Sequence, residues 1–131
     1  MCSQKVQHVS LHLEIMADEI IFSKITVGDQ ELQNRIVMAP MTRARCNITE
    51  DPFDIENSLP NELMVEYYKQ RASAGLIITE GTQISELAWG WMCAPKIDTE
   101  KNAEAWKPVV DAVHDAGGKI YCQLWHLVGV Y

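Results

Sequence analysis

The chain has no long apolar run, no excess of basic charge and no closely spaced pair of cysteines. Each absence removes a class of function. A spanning helix needs roughly 18 consecutive apolar residues, and no stretch approaches that, so no membrane segment is expected. Lys and Arg number 11 against 18 Asp and Glu, giving a formal charge of -7. A nucleic acid or an anionic membrane surface would find no basic face to meet. Cys2, Cys46, Cys93 and Cys122 are scattered, which suits free thiols better than a disulfide framework or a zinc site. The glycine-rich signature G-x-G-x-x-G is missing, so a Rossmann dinucleotide site is not supported. Nor is there a G-x-x-x-x-G-K-[ST], an H-E-x-x-H or a G-x-S-x-G motif. His8 and His12 stand four apart without a third ligand, which is a weak metal signal.

The first residues, Met1 to Met16, carry only Lys5 as a basic charge. His8, Ser10, His12 and Glu14 break any apolar run. The segment therefore resembles neither a signal peptide nor an Arg-rich transit peptide, and a cytoplasmic location is the expectation. Residues 1–20 are expected to form a poorly ordered extension, and residues 21–131 the structured part.

What is present is an ordinary globular composition, 47% apolar and 22% charged, arranged as short apolar runs alternating with helical stretches. Ile25 to Val27 and Glu31-Leu32 flank Gly28-Asp29 as a small hairpin. Ile36 to Ala39 is a continuous apolar run suited to a strand buried on both faces. Cys46 to Pro60 reads as a loop. Asn61 can cap a helix that runs to about Ala74, with Leu63, Tyr67 and Gln70 along one face and Met64 and Tyr68 beside them. Leu76 to Thr79 is the next buried strand. Thr99 caps a second helix, with Trp106, Val109, Val110 and Val113 on one face, and Gly117-Gly118 ends it. Lys119 to Trp125 is the last strand. Hairpin, β, α, β, α, β is an α/β order that implies a parallel sheet with right-handed crossovers.

Ligands of parallel α/β folds bind at the carboxyl ends of the strands. Those ends read Ala39-Pro40-Met41-Thr42-Arg43, Thr79-Glu80-Gly81-Thr82-Gln83 and Gln123-Leu124-Trp125-His126. Gln123 shares parity with Tyr121 and Trp125 on a strand fit for burial. A buried amide without partners costs about 1–3 kcal/mol, so it needs either a ligand with a donor and an acceptor or neighbouring backbone. Thr42 could bond a ligand edge or serve as a turn residue. Gly81 could admit a flat ligand close to the backbone or simply form a turn. Trp125 could wall the site, and His126 fits a structural role better than a catalytic one. Glu80 reads as a buried acid or, preferably, an ion-pair partner of Arg43. Trp89 and Trp91 could cover a ligand or pack on the rim. On these residues alone the ligand has no name.

The run from Leu32 to Arg43 resembles the first-strand signature of the Old Yellow Enzyme family. Glu66 to Gly81 is similar to that family's first helix and second strand. Glu104 to His114 looks like its second helix, particularly in the 12-oxophytodienoate reductase branch, and Gln123-Leu124-Trp125-His126 resembles its third-strand motif. The resemblance covers about Ile21 to His126. It implies a partial TIM, or (β/α)8, barrel: an N-terminal hairpin followed by strands 1–3 and helices 1–2. It also implies a non-covalently bound FMN, reduced by NAD(P)H, that passes hydride from N5 to the β-carbon of an α,β-unsaturated carbonyl. By this resemblance Ala39, Pro40 and Met41 would line the flavin and Thr42 would bond its O4 region. Gly81 would approach the ring, Gln123 would hold the pyrimidine edge, and Trp125 would face the substrate. No catalytic residue falls within the chain.

Leu127 to Tyr131 departs from the His-x-Gly-Arg sequence expected after the third strand. The loop from Cys46 to Pro60 is longer than expected, and Trp89 to Cys93 replaces a Gly-Tyr segment. Met16 is an alternative start. A barrel of this kind takes about 250 residues, so the chain is expected to be incomplete. The family's His/Asn or His/His pair, its proton-donating Tyr, its Arg near the flavin N1 and its phosphate loops are not among these residues. An inactive fragment or interaction module is the alternative to an ene-reductase, and a phosphosugar-binding barrel a third reading.

Overall fold

The computed structural model describes residues 19–47 and 55–127. They fall into two compact units that divide between Ile36 and Val37. Cys2, His8 and His12 lie outside the described residues, as does the expected extension apart from Glu19 and Ile20.

In the first unit β1 (Ile25–Val27) and β2 (Gln30–Leu32) pair antiparallel, with Ile25 opposite Leu32. Gly28 turns the hairpin at φ +61°, a conformation that side chains with a Cβ disfavour. Lys24 Nζ meets Glu31 Oε1 at 2.8 Å. Both side chains are largely exposed, so the pair adds little stability.

The second unit holds β3 (Val37–Met38), α1 (Glu62–Lys69), β4 (Leu76–Gln83), α2 (Glu100–Asp115) and β5 (Ile120–Trp125). The sheet order is β3-β4-β5, and both pairings are parallel. Each helix is thus the crossover between neighbouring strands, as the alternating pattern requires.

Asn61 caps α1, its side chain accepting from Met64 N at 3.2 Å, and Glu62 places a negative charge in the first turn. The helix proper stops at Lys69 and continues as turns, short of the expected Ala74. Its buried face is Met64 and Tyr68, whereas Leu63 is 61% exposed. The expected stripe was one residue out of phase, because the contacts are set by what lies beneath. Met64, Tyr68 and Ala72 meet Ile77 of β4 and Trp106, Val109 and Val113 of α2 in one apolar cluster. Thr99 caps α2 by accepting from Asn102 N. Gly117, at φ +80°, ends it. Gly118 lies so close to α1's trailing turn that a Cβ there would stand 2.8 Å from Ala72 O.

Cys46, Cys93 and Cys122 are free thiols, as expected. Among the described residues no helix is long and apolar enough to cross a membrane. The described residues also contain no His/Cys/Asp/Glu cluster able to hold a metal.

Candidate functional site

The strand that organises the site is β4, and it is irregular. It runs from Leu76 to Gln83, four residues beyond the expected Thr79. Ile78 pairs with Tyr121, but the next register partners are Gly81 and Gln123. Three steps on β4 thus match two on β5, so β4 carries one extra residue, a β-bulge. At the bulge Gln123 N donates to the hydroxyl of Thr79 at 3.0 Å instead of to a strand carbonyl. The carbonyl of Glu80 accepts from the hydroxyls of Thr79 (2.9 Å) and Thr82 (3.0 Å). These side chains satisfy backbone groups that the bulge takes out of the ladder.

The bulge also resets which way side chains face. Ile77 packs in the cluster beneath the helices, and Glu80, three residues later, reaches Tyr68 on α1. In an unbroken strand residues three apart face opposite sides. The extra residue therefore puts Glu80 on the helix side and leaves Gly81 beside Gln123.

Glu80 is 1% exposed. Its Oε2 accepts from the backbone N–H of both Arg43 and Ala44, each at 3.1 Å. Its Oε1 accepts from the Tyr68 hydroxyl at 3.3 Å, and that same hydroxyl accepts from Glu80 N at 2.8 Å. The expected ion pair with Arg43 is not formed. What holds the carboxylate is Arg43's backbone, because Ala44 at φ +52° turns two successive amides toward one point, an anion-binding nest. Burial pushes the Glu80 carboxyl above its ordinary value, while the amides of Ala44 and Arg43, the Tyr68 hydroxyl and the Arg43 charge pull it back. Burial, then the charge of Glu80, pushes the Tyr68 hydroxyl up in turn, so it stays protonated.

The clamp lies one residue from the strand-end groups. Gly81 N donates to Thr42 Oγ1 at 3.3 Å, joining the end of β3 to β4. Gly81 and Gln123 are partners across β4 and β5. Trp125 shares parity with Gln123, and its indole covers Gly81: a Cβ built there would lie 2.1 Å from Trp125 Cε3. Thr42, Gly81, Gln123 and Trp125 are thus brought together. Ala39, Pro40 and Met41 lie in the extended segment between β3 and Thr42, with Met41 43% exposed.

A further expectation fails. Gln123 is exposed, as are Tyr121 and Leu124 on the same strand, so its amide carries no burial penalty here. A strand at the sheet edge is covered on neither face as fully as β4 is. Trp91 packs against Trp125 with ring centroids 6.2 Å apart and planes tilted by 40°, which is the rim-packing reading of that loop. His126 is exposed.

Sequence reasoning missed the bulge, the Tyr68 bonds and a cleft of about 220 Å³ lined by Arg43, Arg45, Leu63, Met64, Tyr67 and Glu80. Tyr68 fell outside the proposed main stripe, and nothing in the letters announces the positive φ of Ala44.

Comparison with known proteins matches residues 20–130 to the profile of the NADH:flavin oxidoreductase / NADH oxidase family. A flavin oxidoreductase of Emericella nidulans is 44% identical over 110 residues, covering 83% of this chain and 27% of that protein. The 12-oxophytodienoate reductase 2 of Arabidopsis thaliana is 40% identical over 102 residues, 77% of this chain and 25% of its own length. Among solved structures, an old yellow enzyme homologue from Zymomonas mobilis superposes with a TM-score of 0.73 at 48% identity, over 82% of this chain and 28% of that one. At that identity the fold is shared, and the described strands and helices are part of a (β/α)8 barrel. The chain spans about a quarter of the length of the relatives it matches.

Proposed function

Since this chain belongs to the NADH:flavin oxidoreductase / NADH oxidase family, we propose that the protein is an FMN-dependent ene-reductase and that these residues build one side of its flavin site. The observation that carries the reading is the junction of three strand ends. Thr42 Oγ1 lies on the Gly81 amide, and Gly81 lies opposite Gln123.

These groups suit a flat heteroaromatic cofactor. Gly81 has no Cβ, so its backbone can stand close to a ring, and the indole of Trp125 fills the space on its Cβ side. The exposed amide of Gln123 offers a donor and an acceptor side by side, as a pyrimidine edge requires. The Thr42 hydroxyl accepts from Gly81, and its proton remains available to donate. Ala39, Pro40 and Met41 would flank the ring from the segment after β3. Trp125 would form the wall on the substrate side.

FMN supplies the hydride chemistry, accepting from NAD(P)H and delivering to the β-carbon of an α,β-unsaturated carbonyl. The chain's own residues bind and orient the ring and exclude water from one of its edges. The substrate class is a small enone. The named reductase of 12-oxophytodienoate among the relatives supports it.

The test is to purify the protein, record its visible spectrum with and without added FMN, and follow NADPH oxidation with 2-cyclohexen-1-one. A bound flavin and enone-dependent turnover are expected. A colourless protein that neither binds added FMN nor oxidises NADPH would defeat the reading. The same assay on these 131 residues alone separates turnover from an interaction role.

A further inference from the structure

We propose that Glu80 is a positioning residue for the flavin site: by clamping the amides of Arg43 and Ala44 it holds the hydroxyl of Thr42 against Gly81. The inference rests on the flavin reading above and adds a residue to it that touches no ligand.

The geometry runs through one short segment. Thr42 immediately precedes the two amides that Glu80 Oε2 grips at 3.1 Å. Gly81, which donates to Thr42 Oγ1 at 3.3 Å, immediately follows Glu80. The two contacts therefore close a small ring between adjacent residues, Thr42-Arg43-Ala44 in the segment after β3 on one side and Glu80-Gly81 of β4 on the other. The left-handed turn at Ala44, φ +52°, is a conformation that a residue with a Cβ adopts only when its surroundings enforce it. The exposed Arg45 guanidinium donates to the carbonyls of Arg43 and Ala44 on its outer side, and the Glu80 carboxylate is the group that gathers its two amides. The bulge in β4 is what turns Glu80 toward that segment while Gly81 keeps its place beside Gln123. A regular strand could not supply both.

Glu80 is also committed elsewhere. Tyr68, from α1, fixes Oε1 and the Glu80 amide together, so the carboxylate has one available orientation. A helix-borne hydroxyl thus sets the direction of an acid, the acid sets a turn, and the turn sets the hydroxyl of Thr42.

The experiment uses the full chain, wild type and Glu80→Gln, with two readouts. The first is backbone amide hydrogen exchange, which needs no flavin. Gly81, Arg43 and Ala44 amides should exchange about tenfold faster in Glu80→Gln, the factor that corresponds to losing one ordinary hydrogen bond. Unchanged protection at Gly81 overturns the proposal, whether or not the protein binds FMN. The second is FMN affinity by flavin fluorescence in a double-mutant cycle with Thr42→Ala. Glu80→Gln should weaken binding about tenfold in the wild-type background and hardly at all in the Thr42→Ala background. Equal loss in both backgrounds shows that Glu80 does not act through Thr42 and overturns the proposal. If wild type binds no FMN, the flavin reading fails while the exchange readout still decides the clamp. If Glu80→Gln does not fold, Tyr68→Phe replaces it. That variant keeps the carboxylate, and the same acceleration at Gly81 and the same non-additivity are expected, with their absence counting against the proposal.

Discussion

Taking one oxygen from Tyr68 measures how much the buried acid depends on its partners. Tyr68→Phe preserves the ring, which is wholly buried and packs against Trp106 at 6.3 Å, so no cavity term enters. Two hydrogen bonds disappear, the one accepted from Glu80 N at 2.8 Å and the one donated to Glu80 Oε1 at 3.3 Å. No water replaces them at a site 1% exposed. The orphaned amide costs about 1–3 kcal/mol, and the bond to a charged oxygen is worth about 1.5–3 kcal/mol. Sharing between the two brings the expected loss to about 2–4 kcal/mol where Glu80 is ionised.

The loss should depend on pH, with a definite sign. Burial raises the folded carboxyl above its ordinary 4.5, and the Tyr68 bond opposes that rise. An acid with a raised folded value contributes stability that is fully present below 4.5 and lost as pH climbs through the folded value. Removing the hydroxyl lifts the folded value further, so the variant forfeits more than wild type on the way to neutrality. The other groups facing Glu80 are the Arg43 guanidinium, which favours the charged form of the acid, and the Cys46 thiol, which burial, and after it the charge of Glu80, pushes up. Urea unfolding, followed by tryptophan fluorescence, should therefore give a larger difference near neutrality than below pH 4.5. Equal differences at the two pH values would refute the account of Glu80 as an ionised, hydroxyl-stabilised acid.

Other outcomes follow from single contacts. Asn61→Ala removes the cap on Met64 N and should cost about 1 kcal/mol in the same unfolding assay. Gly118→Ala puts a methyl 2.8 Å from Ala72 O and 3.0 Å from Ala72 Cα. Backbone cannot swing away, so the unfolding midpoint should fall by an amount equivalent to about 1–3 kcal/mol. Thiol labelling with a disulfide reagent should modify exposed Cys122 first. Cys46, 2% exposed and with burial pushing its thiol up, should react only on unfolding, and rapid labelling of native Cys46 would contradict its packing against Met64.

Periodicity sufficed for the parts of the fold that obey it. The apolar run at 76–79, the caps Asn61 and Thr99 and the stop at Gly117 all lie where local chemistry puts them, because each is decided by a few adjacent residues. The run at 36–39 does not meet its expectation of burial on both faces: only Val37–Met38 pair as a strand, and Ile36 and Val37 are exposed at the edge of the described sheet. The stripe on α1 was harder. Leu63 and Met64 are equally apolar, and only the position of Ile77 and Trp106 beneath the helix decides that Met64 goes in and Leu63 out. Long-range packing is not written in any window of one helix. Gln123 fails for a related reason. Its parity was read correctly, but whether a face is buried depends on what covers it, and β5 stands at the edge of the described sheet.

The bulge shows most sharply where local reading stops. The run Leu76 to Gln83 could be written as a plain strand. Alternation would then put Glu80 on the side opposite Ile77, where only an ion pair could make a buried carboxylate tolerable. One inserted residue changes the partner from a guanidinium to two amides and a phenol. That choice matters because a side-chain ion pair tethers only the flexible end of Arg43, whereas backbone amides fix the chain itself, and with it the neighbouring Thr42. Arg43→Ala should therefore leave the Gly81 amide nearly as protected from exchange as in wild type, since the guanidinium only biases the acid while the Arg43 N–H holds it. Loss of that protection in Arg43→Ala would mean that the charge, and not the turn, keeps the two strand ends together.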